Sequence, residues 1–130
     1  MFRKFLIALL LTGSIGLFAH EGHDKTPGAL KANHGGVVKP GKQINLEYVV
    51  TGDLLSLYPA THEGTDLKPA DVKLSATAKL PKGKAEPVKI EIKDGAYLTK
   101  VDFKGAYRVE FQIIANSDGK DSTFKFQVEK

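Results

Sequence analysis

The sequence predicts an all-β domain, an immunoglobulin-like sandwich of about seven or eight antiparallel strands, and three observations support this fold class. From Val37 onward, apolar and polar residues alternate with a period of two. Turn-forming residues separate the alternating segments at short, regular intervals. No segment beyond the amino-terminal region shows a convincing helical pattern. Strict alternation gives one buried and one solvated face, which is typical of antiparallel sheet.

Five alternating segments are the clearest predicted strands, and each carries its apolar residues on one face. In order, these residues are Ile44, Leu46, Tyr48 and Val50; Val72, Leu74, Ala76 and Ala78; Val88, Ile90 and Ile92; Tyr107, Val109, Phe111 and Ile113; and Phe124, Phe126 and Val128. Turns are predicted at residues 39–41, 51–53, 81–83, 93–95, 104–105 and 117–119. Residues 35–38 and 42–50 are expected to form the first hairpin. The core is expected to contain Phe111, Ile113, Phe124 and Phe126.

Tyr107 opens a late strand in the segment KGAYRVEF, where immunoglobulin-like folds place a tyrosine corner. In that arrangement the tyrosine hydroxyl donates a hydrogen bond to backbone upstream in the chain. The alternative is an ordinary half-buried strand tyrosine, and the sequence leaves both interpretations open.

The first 19 residues have the features of a secretory signal peptide. Arg3 and Lys4 give a basic start, residues 5–18 form an apolar stretch, and Ala19 is a small residue at the expected cleavage point. The apolar stretch is shorter than the ~20 residues that a membrane-spanning helix needs. We therefore expect cleavage after Ala19 and a periplasmic or secreted protein without a membrane span. An uncleaved anchor helix is the alternative.

Cleavage would leave 111 of the chain's 130 residues, enough for one domain with a modest core. These residues divide into a flexible, histidine-containing tail at 20–34 and a sandwich domain at 35–130. Loss of Arg3 and Lys4 lowers the formal net charge from +4 to +2. The remaining lysines are interspersed with glutamates, so no nucleic-acid partner is predicted. The chain has no cysteine, which excludes thiolate metal sites and cysteine redox chemistry.

The chain is predicted not to be an enzyme, because the sequence patterns of catalysis are lacking. It contains no nucleophile elbow, no Gly-rich loop leading into a helix and no HExxH segment. Its four histidines lie in HEGHD, ANHGGVV and ATHEGTD, which are predicted tail or loop. A catalytic base requires a more rigid scaffold than these segments provide.

His20 and His23 are the strongest chemical feature of the tail. Their spacing in a flexible chain lets both rings chelate one ion, and cleavage after Ala19 would add the α-amine of His20. Such a set of nitrogen donors favours copper over zinc or nickel, since Cu(II) prefers tetragonal nitrogen ligands. The alternative is two solvated histidines in a disordered tail that bind metal only weakly.

His34 and His62 are the other two candidate metal ligands. His34 precedes Gly35-Gly36 and the first strand, so it is either a ligand held at the edge of the sandwich or a surface histidine on a linker. His62 lies in the longest loop, where Asp66 and its other acidic neighbour Glu63 would attract a cation. Its alternative is an ordinary exposed loop histidine. The predicted hairpin separates the two rings by about 13 Å or more, so we do not expect them to share an ion.

Several segments together resemble the N-terminal metal-associated β-domain of periplasmic adaptor subunits of resistance-nodulation-division heavy-metal exporters. They are HGGVV, INLEYVV, LLSLYPATHEGTDLKPADVKLSA, KGAYRVEFQI and FKFQVE, within residues 33–129. The resemblance matches His34-Gly35-Gly36 to a His-Gly-Gly element after a histidine-rich leader. It also matches Tyr58 to a Leu-Tyr strand and places His62 in the following loop. It implies metal handling in the periplasm. The sequence carries no helical hairpin, lipoyl-like segment or adaptor barrel, so we expect a free-standing accessory domain.

Three functions remain to be weighed. The first is a periplasmic metal-binding protein, for copper, that acts as a buffer, chaperone or efflux accessory through His20, His23, His34 and His62. Its partners would be the metal ion and a periplasmic efflux or envelope protein. The second is a non-catalytic sandwich that docks on an envelope complex through a sheet edge, with incidental histidines. The third, a copper oxidase with an N-terminal histidine, is disfavoured because no second rigid histidine pair is recognisable.

Overall fold

The computed structural model describes residues 30–130, and it confirms an all-β fold of two antiparallel sheets. The strands are β1 (Val37–Pro40), β2 (Asn45–Thr51), β3 (Leu54–Ala60), β4 (Lys73–Lys79), β5 (Glu86–Val88), β6 (Glu91–Lys93), β7 (Ala96–Lys100), β8 (Arg108–Ser117) and β9 (Lys120–Glu129). One sheet has the order β1-β2-β3-β7-β6 and the other β5-β4-β8-β9. The predicted signal peptide and residues 20–29 of the predicted tail lie outside the described residues. Within 30–130, no helix is long and apolar enough to cross a membrane.

The inner faces of the two sheets meet in one apolar core, as the alternation predicts. Phe111 and Ile113 are fully buried, and Phe124 and Phe126 are nearly so. Tyr48 of the five-stranded sheet stacks on Phe126 of the other sheet, with ring centroids 3.9 Å apart. Burial of these large side chains supplies most of the stabilisation, at about 25 cal/mol per Å² of apolar surface.

A tyrosine hydroxyl does connect the two sheets, but it belongs to Tyr97 and not to Tyr107. Tyr97 on β7 is buried and donates a hydrogen bond to the carbonyl of Val72, just before β4. Burial, together with the nearby charge of Asp71, raises the pKa of Tyr97, which keeps the donor proton in place. Tyr107 is 59% exposed and its hydroxyl accepts a hydrogen bond from Arg108. The tyrosine-corner interpretation of Tyr107 is therefore wrong, because the ring is exposed and its hydroxyl bonds to Arg108 instead of to upstream backbone.

The segment 88–92, predicted as one strand, is divided between the two sheets. β5 ends at Val88 at the edge of one sheet, and β6 begins at Glu91 at the edge of the other. The hydroxyl of Thr99 donates a hydrogen bond to the Lys89 carbonyl, which secures the backbone where it crosses. Ile92 is consequently 57% exposed and does not reach the core. This division accounts for nine strands where seven or eight were expected.

The β8–β9 hairpin contains the two longest strands, and β9 is the edge strand of its sheet. Its two-residue turn has positive φ at Asp118 (53°) and Gly119 (77°), as type I′ turns require. Ser117 pairs with Lys120 across the turn, and such a closing pair is hydrogen-bonded. Along β9 the backbone N–H and C=O groups of successive residues point alternately towards β8 and away from it. Counted from Lys120, which faces β8, those of Thr123 and of every second residue after it point away from β8. Within the described residues, β9 pairs only with β8.

We expect Phe111→Ala to lower the free energy of unfolding by about 3–5 kcal/mol, because a fully buried ring is replaced by a cavity. Tyr107→Ala is the matched control, since that ring is largely exposed and its removal should cost little. Urea unfolding of both variants measures the difference. Equal and small losses in the two variants would show that Phe111 is not central to the core.

Candidate functional site

A short segment before β1, residues 33–36, folds against the outer face of the five-stranded sheet, and we call it the clasp. Glu47 on β2 points to that face because its neighbours Leu46 and Tyr48 point into the core. The clasp covers Glu47 so completely that the residue is 3% exposed.

The Glu47 carboxylate accepts three backbone N–H groups from the clasp. Oε1 accepts the N–H of Asn33 at 2.9 Å, and Oε2 accepts those of His34 and Gly36, each at 2.8 Å. Successive N–H groups that converge in this way form an anion-binding concavity, here occupied by the protein's own carboxylate. Bonds to an ionised acceptor are stronger than neutral ones, so this contact holds the clasp to the sheet.

Each glycine after His34 has a separate structural reason. Gly35 has a φ of +77°, a left-handed conformation that turns the chain and that L-residues with a Cβ rarely adopt. Gly36 lies so close to β2 that a Cβ there would be 2.2 Å from the Tyr48 carbonyl oxygen and 2.7 Å from a Val49 methyl carbon. The His-Gly-Gly sequence thus combines a ligand-type side chain, a turn and a close backbone approach.

The His34 ring is held on two sides. It stacks on Tyr58 of β3 with ring centroids 3.7 Å apart and planes inclined by 10°. Its Nε2 lies 2.7 Å from Oδ2 of Asp66, and the side chain remains 30% exposed. Tyr58 is the cross-strand neighbour of Glu47, so adjacent strands support the ring and the backbone of His34.

Asp66 is itself fixed by its loop and by the clasp. It forms an isolated β-bridge with Ala60 at the end of β3. The Asn33 side-chain amide donates to Asp66 Oδ1 at 3.2 Å and to the Gly64 carbonyl at 2.6 Å. Both carboxylate oxygens of Asp66 therefore have a partner, one from Asn33 and one from His34.

This geometry determines which ring nitrogen of His34 carries a proton. An ionised carboxylate only accepts hydrogen bonds, so Nε2 of His34 donates to Asp66. In the neutral ring Nδ1 is then the lone-pair nitrogen, and no hydrogen bond from residues 30–130 reaches it. Metal-binding histidines commonly donate their second ring N–H to a carboxylate in this manner. Among these same residues, however, no group of three or more His, Asp or Glu side chains is placed to hold a metal ion.

His62 lies apart from His34 and bonds to a different element. Its Nε2 is 2.9 Å from the carbonyl oxygen of Gly41, so His62 lies beside the β1–β2 turn, as the strand order predicts. Asp66, which we expected to act on His62, forms its hydrogen bond with His34. His20 and His23 lie outside the described residues.

Sequence reasoning missed three contributors to this site: Glu47, Asn33 and the contact between Asp66 and His34. Glu47 occupies a polar position in an alternating strand, which predicts an exposed side chain. The available signal was Gly35-Gly36, since paired glycines beside a strand indicate a close backbone approach that requires a partner.

An open cavity of about 260 Å³ lies elsewhere, where β4 and β7 end and β8 begins. Among residues 30–130, its lining includes Leu80, Lys84, Lys100 and Val109 but no histidine, so it is separate from His34 and His62.

No protein-family model matches the chain, and no curated protein matches it. Among solved structures, the chain is similar to the crystal structure of a DUF4426 family protein from Pseudomonas aeruginosa PAO1. The two share 18% sequence identity with a TM-score of 0.57, over 72% of this chain and 94% of that chain. At this identity the similarity establishes a common fold.

Gly36→Ala should detach the clasp, because the new Cβ would collide with the backbone of β2. Amide hydrogen exchange should then accelerate at Asn33, His34 and residue 36, while core amides of β8 remain protected. Gly35→Ala is the matched control. Its Cβ would enter open space, so the variant should incur only the left-handed strain of about 1–2 kcal/mol. Unchanged exchange in Gly36→Ala would contradict the close approach.

Proposed function

We propose that this protein binds a metal ion, copper, as a periplasmic buffer, chaperone or efflux accessory, and that His34 is a preoriented ligand of that ion. The observation that carries this proposal is the Asp66–His34 hydrogen bond, which assigns the proton to Nε2 and leaves Nδ1 as the donor nitrogen for a metal. The stacked Tyr58 ring restricts the imidazole further. The resemblance of the His-Gly-Gly region to metal-efflux adaptor domains supports the same function.

The remaining ligands are assigned to the tail histidines. His23 precedes His34 by 11 residues, and an extended chain spans up to about 3.5 Å per residue. This length is ample for His20 and His23 to return to the clasp. With cleavage after Ala19, the α-amine of His20 would supply one nitrogen, and the rings of His20, His23 and His34 would supply three more. Such a set of four nitrogen donors favours tetragonal Cu(II) over zinc or nickel.

His62 is given no part in this ligand set. It lies beside the β1–β2 turn, where its Nε2 contacts the Gly41 carbonyl, and it shares no partner with His34. The proposal involves no chemistry on a substrate, in keeping with a sequence that lacks the patterns of catalysis.

Cu(II) affinity should fall strongly in His34→Ala and in a variant with one residue added before His20, which moves the free amine away from its imidazole. His62→Ala is the matched control and should retain wild-type affinity. Competition titration of the mature protein at one pH and one salt concentration measures all three. Wild-type binding should also weaken as the pH falls, because protons compete for imidazole nitrogens. Full affinity in His34→Ala would eliminate the clasp from the site.

A second candidate function, docking on an envelope protein through a sheet edge, is favoured by β9. This edge strand spans ten residues and alternates buried and exposed side chains. Its outward N–H and C=O groups offer a partner strand a ready set of hydrogen bonds. Lys125 near the middle of the strand would select the charge of that partner.

Thr123→Pro tests this alternative, because it removes an outward N–H while the bonds between β9 and β8 remain. A photo-crosslinking residue at Gln127 should form an adduct with an envelope protein in the exporting cell. The adduct should disappear in Thr123→Pro and persist in Thr123→Ala, which keeps the N–H. Lack of an adduct in the otherwise wild-type protein would rule out docking at this edge.

A further inference from the structure

We propose that Glu47 is the positioning residue of the His34 site. Its carboxylate does not bind the metal ion; it fixes the orientation of the imidazole by holding the clasp. The role in metal affinity rests on the proposed function above, whereas the effect on the His34 ring does not. The proposal concerns a residue that neither charge pattern nor resemblance assigns to the site.

The buried charge of Glu47 depends on the clasp for its hydrogen bonds. An ionised carboxylate that leaves water is strongly destabilising unless hydrogen bonds replace its hydration. Within residues 30–130, Glu47 is in no ion pair, and its recorded hydrogen bonds are the three N–H groups of the clasp. If the clasp opens, these N–H groups lose their acceptor and Glu47 is exposed. Glu47 and the clasp therefore stabilise each other.

The geometry of the clasp ties Glu47 to His34. Of the three N–H groups that Glu47 binds, one belongs to His34 itself and the other two to its neighbours Asn33 and Gly36. The backbone of His34 is therefore held by Glu47 on β2, while the ring of His34 is held by Tyr58 on β3 and by Asp66. The ring can remain stacked and bonded to Asp66 only while the backbone is held at this distance from the sheet.

A fixed imidazole should bind a metal ion more tightly than a mobile one. A ligand that is already oriented loses less conformational entropy on binding, so the ion binds more tightly than it would to a mobile histidine. By thermodynamic linkage, a metal ion that binds more tightly when the clasp is closed also stabilises the closed clasp. Metal on His34 would thus slow the opening of residues 33–36. Glu47 thereby couples the metal to the order of the chain that leads into the sandwich.

Glu47→Gln is the informative change because it nearly preserves the shape of the side chain. A carboxylate can receive N–H groups on both oxygens, whereas an amide has one acceptor oxygen and an NH₂ group that opposes a donor. At least one clasp N–H then faces another donor. Thr99→Val is the matched control: it removes a partly buried hydrogen bond from β7 of the same sheet, with β3 between it and Glu47.

The experiment uses the mature protein and three measurements: ring nitrogen chemical shifts of His34 without metal, amide exchange of residues 33–36, and Cu(II) affinity by competition. We expect Glu47→Gln to lose the single Nε2–H tautomer, to exchange its clasp amides faster and to bind Cu(II) about 10- to 100-fold more weakly. Thr99→Val should change none of these, although it lowers the melting temperature. If Glu47→Gln does not fold, Gly36→Ala displaces the clasp without altering the carboxylate and should reproduce all three effects.

Two outcomes would overturn the proposal. Wild-type ring shifts and clasp exchange in Glu47→Gln would show that Glu47 does not position His34. Altered shifts with full Cu(II) affinity would show that the positioning does not serve metal binding. If the wild-type protein itself binds no Cu(II), the proposed function fails, and the ring shifts and amide exchange still decide whether Glu47 orients His34.

Discussion

The buried Glu47 carboxylate is the constraint on which the arrangement at this end of the molecule depends. A glutamate on the outer face of a sheet would ordinarily be solvated, and its removal from water is tolerated only because three backbone N–H groups take the place of hydration. Those donors come from within four successive residues, so the chain before β1 must bend closely over the strand. The left-handed conformation of Gly35 and the close approach of Gly36 follow from this requirement.

Much of the fold could be predicted from the sequence because its strands are half-buried. Alternation correctly placed Phe111 and Phe126 in the core, since a one-residue shift would expose every apolar side chain of a strand. It failed for Ile92 because a period of two records which side chains share a face and not which sheet a strand joins. It failed for Tyr107 because that residue lies just before β8 and not within it. The crossing at Lys89 depends on a hydrogen bond from Thr99, a tertiary contact that leaves no periodic signal.

The candidate site was predictable only in part, for a related reason. His34 was recognisable because ligand-type side chains are few and paired glycines are conspicuous. The contact between Asp66 and His34 was missed because sequence reasoning gives weight to near neighbours, and His62 is the histidine near Asp66 in sequence. In the folded chain, the return of β3 and its loop places Asp66 against His34, 32 residues away. The burial of Glu47 could not be predicted because it results from the clasp, whose path over β2 the alternating pattern does not describe.

The crossing at Lys89 has a consequence for how the molecule assembles. The chain builds three strands of one sheet, then two of the other, returns for β6 and β7, and finishes with β8 and β9. Neither sheet can be completed by a continuous stretch of chain, so neither can serve as an independent folding unit. Leu57 on β3 pairs with Tyr97 on β7, although the intervening strands β4 and β5 belong to the opposite sheet. Such interleaving favours a single cooperative transition and slow folding, because distant pairings cost loop-closure entropy before they contribute stability.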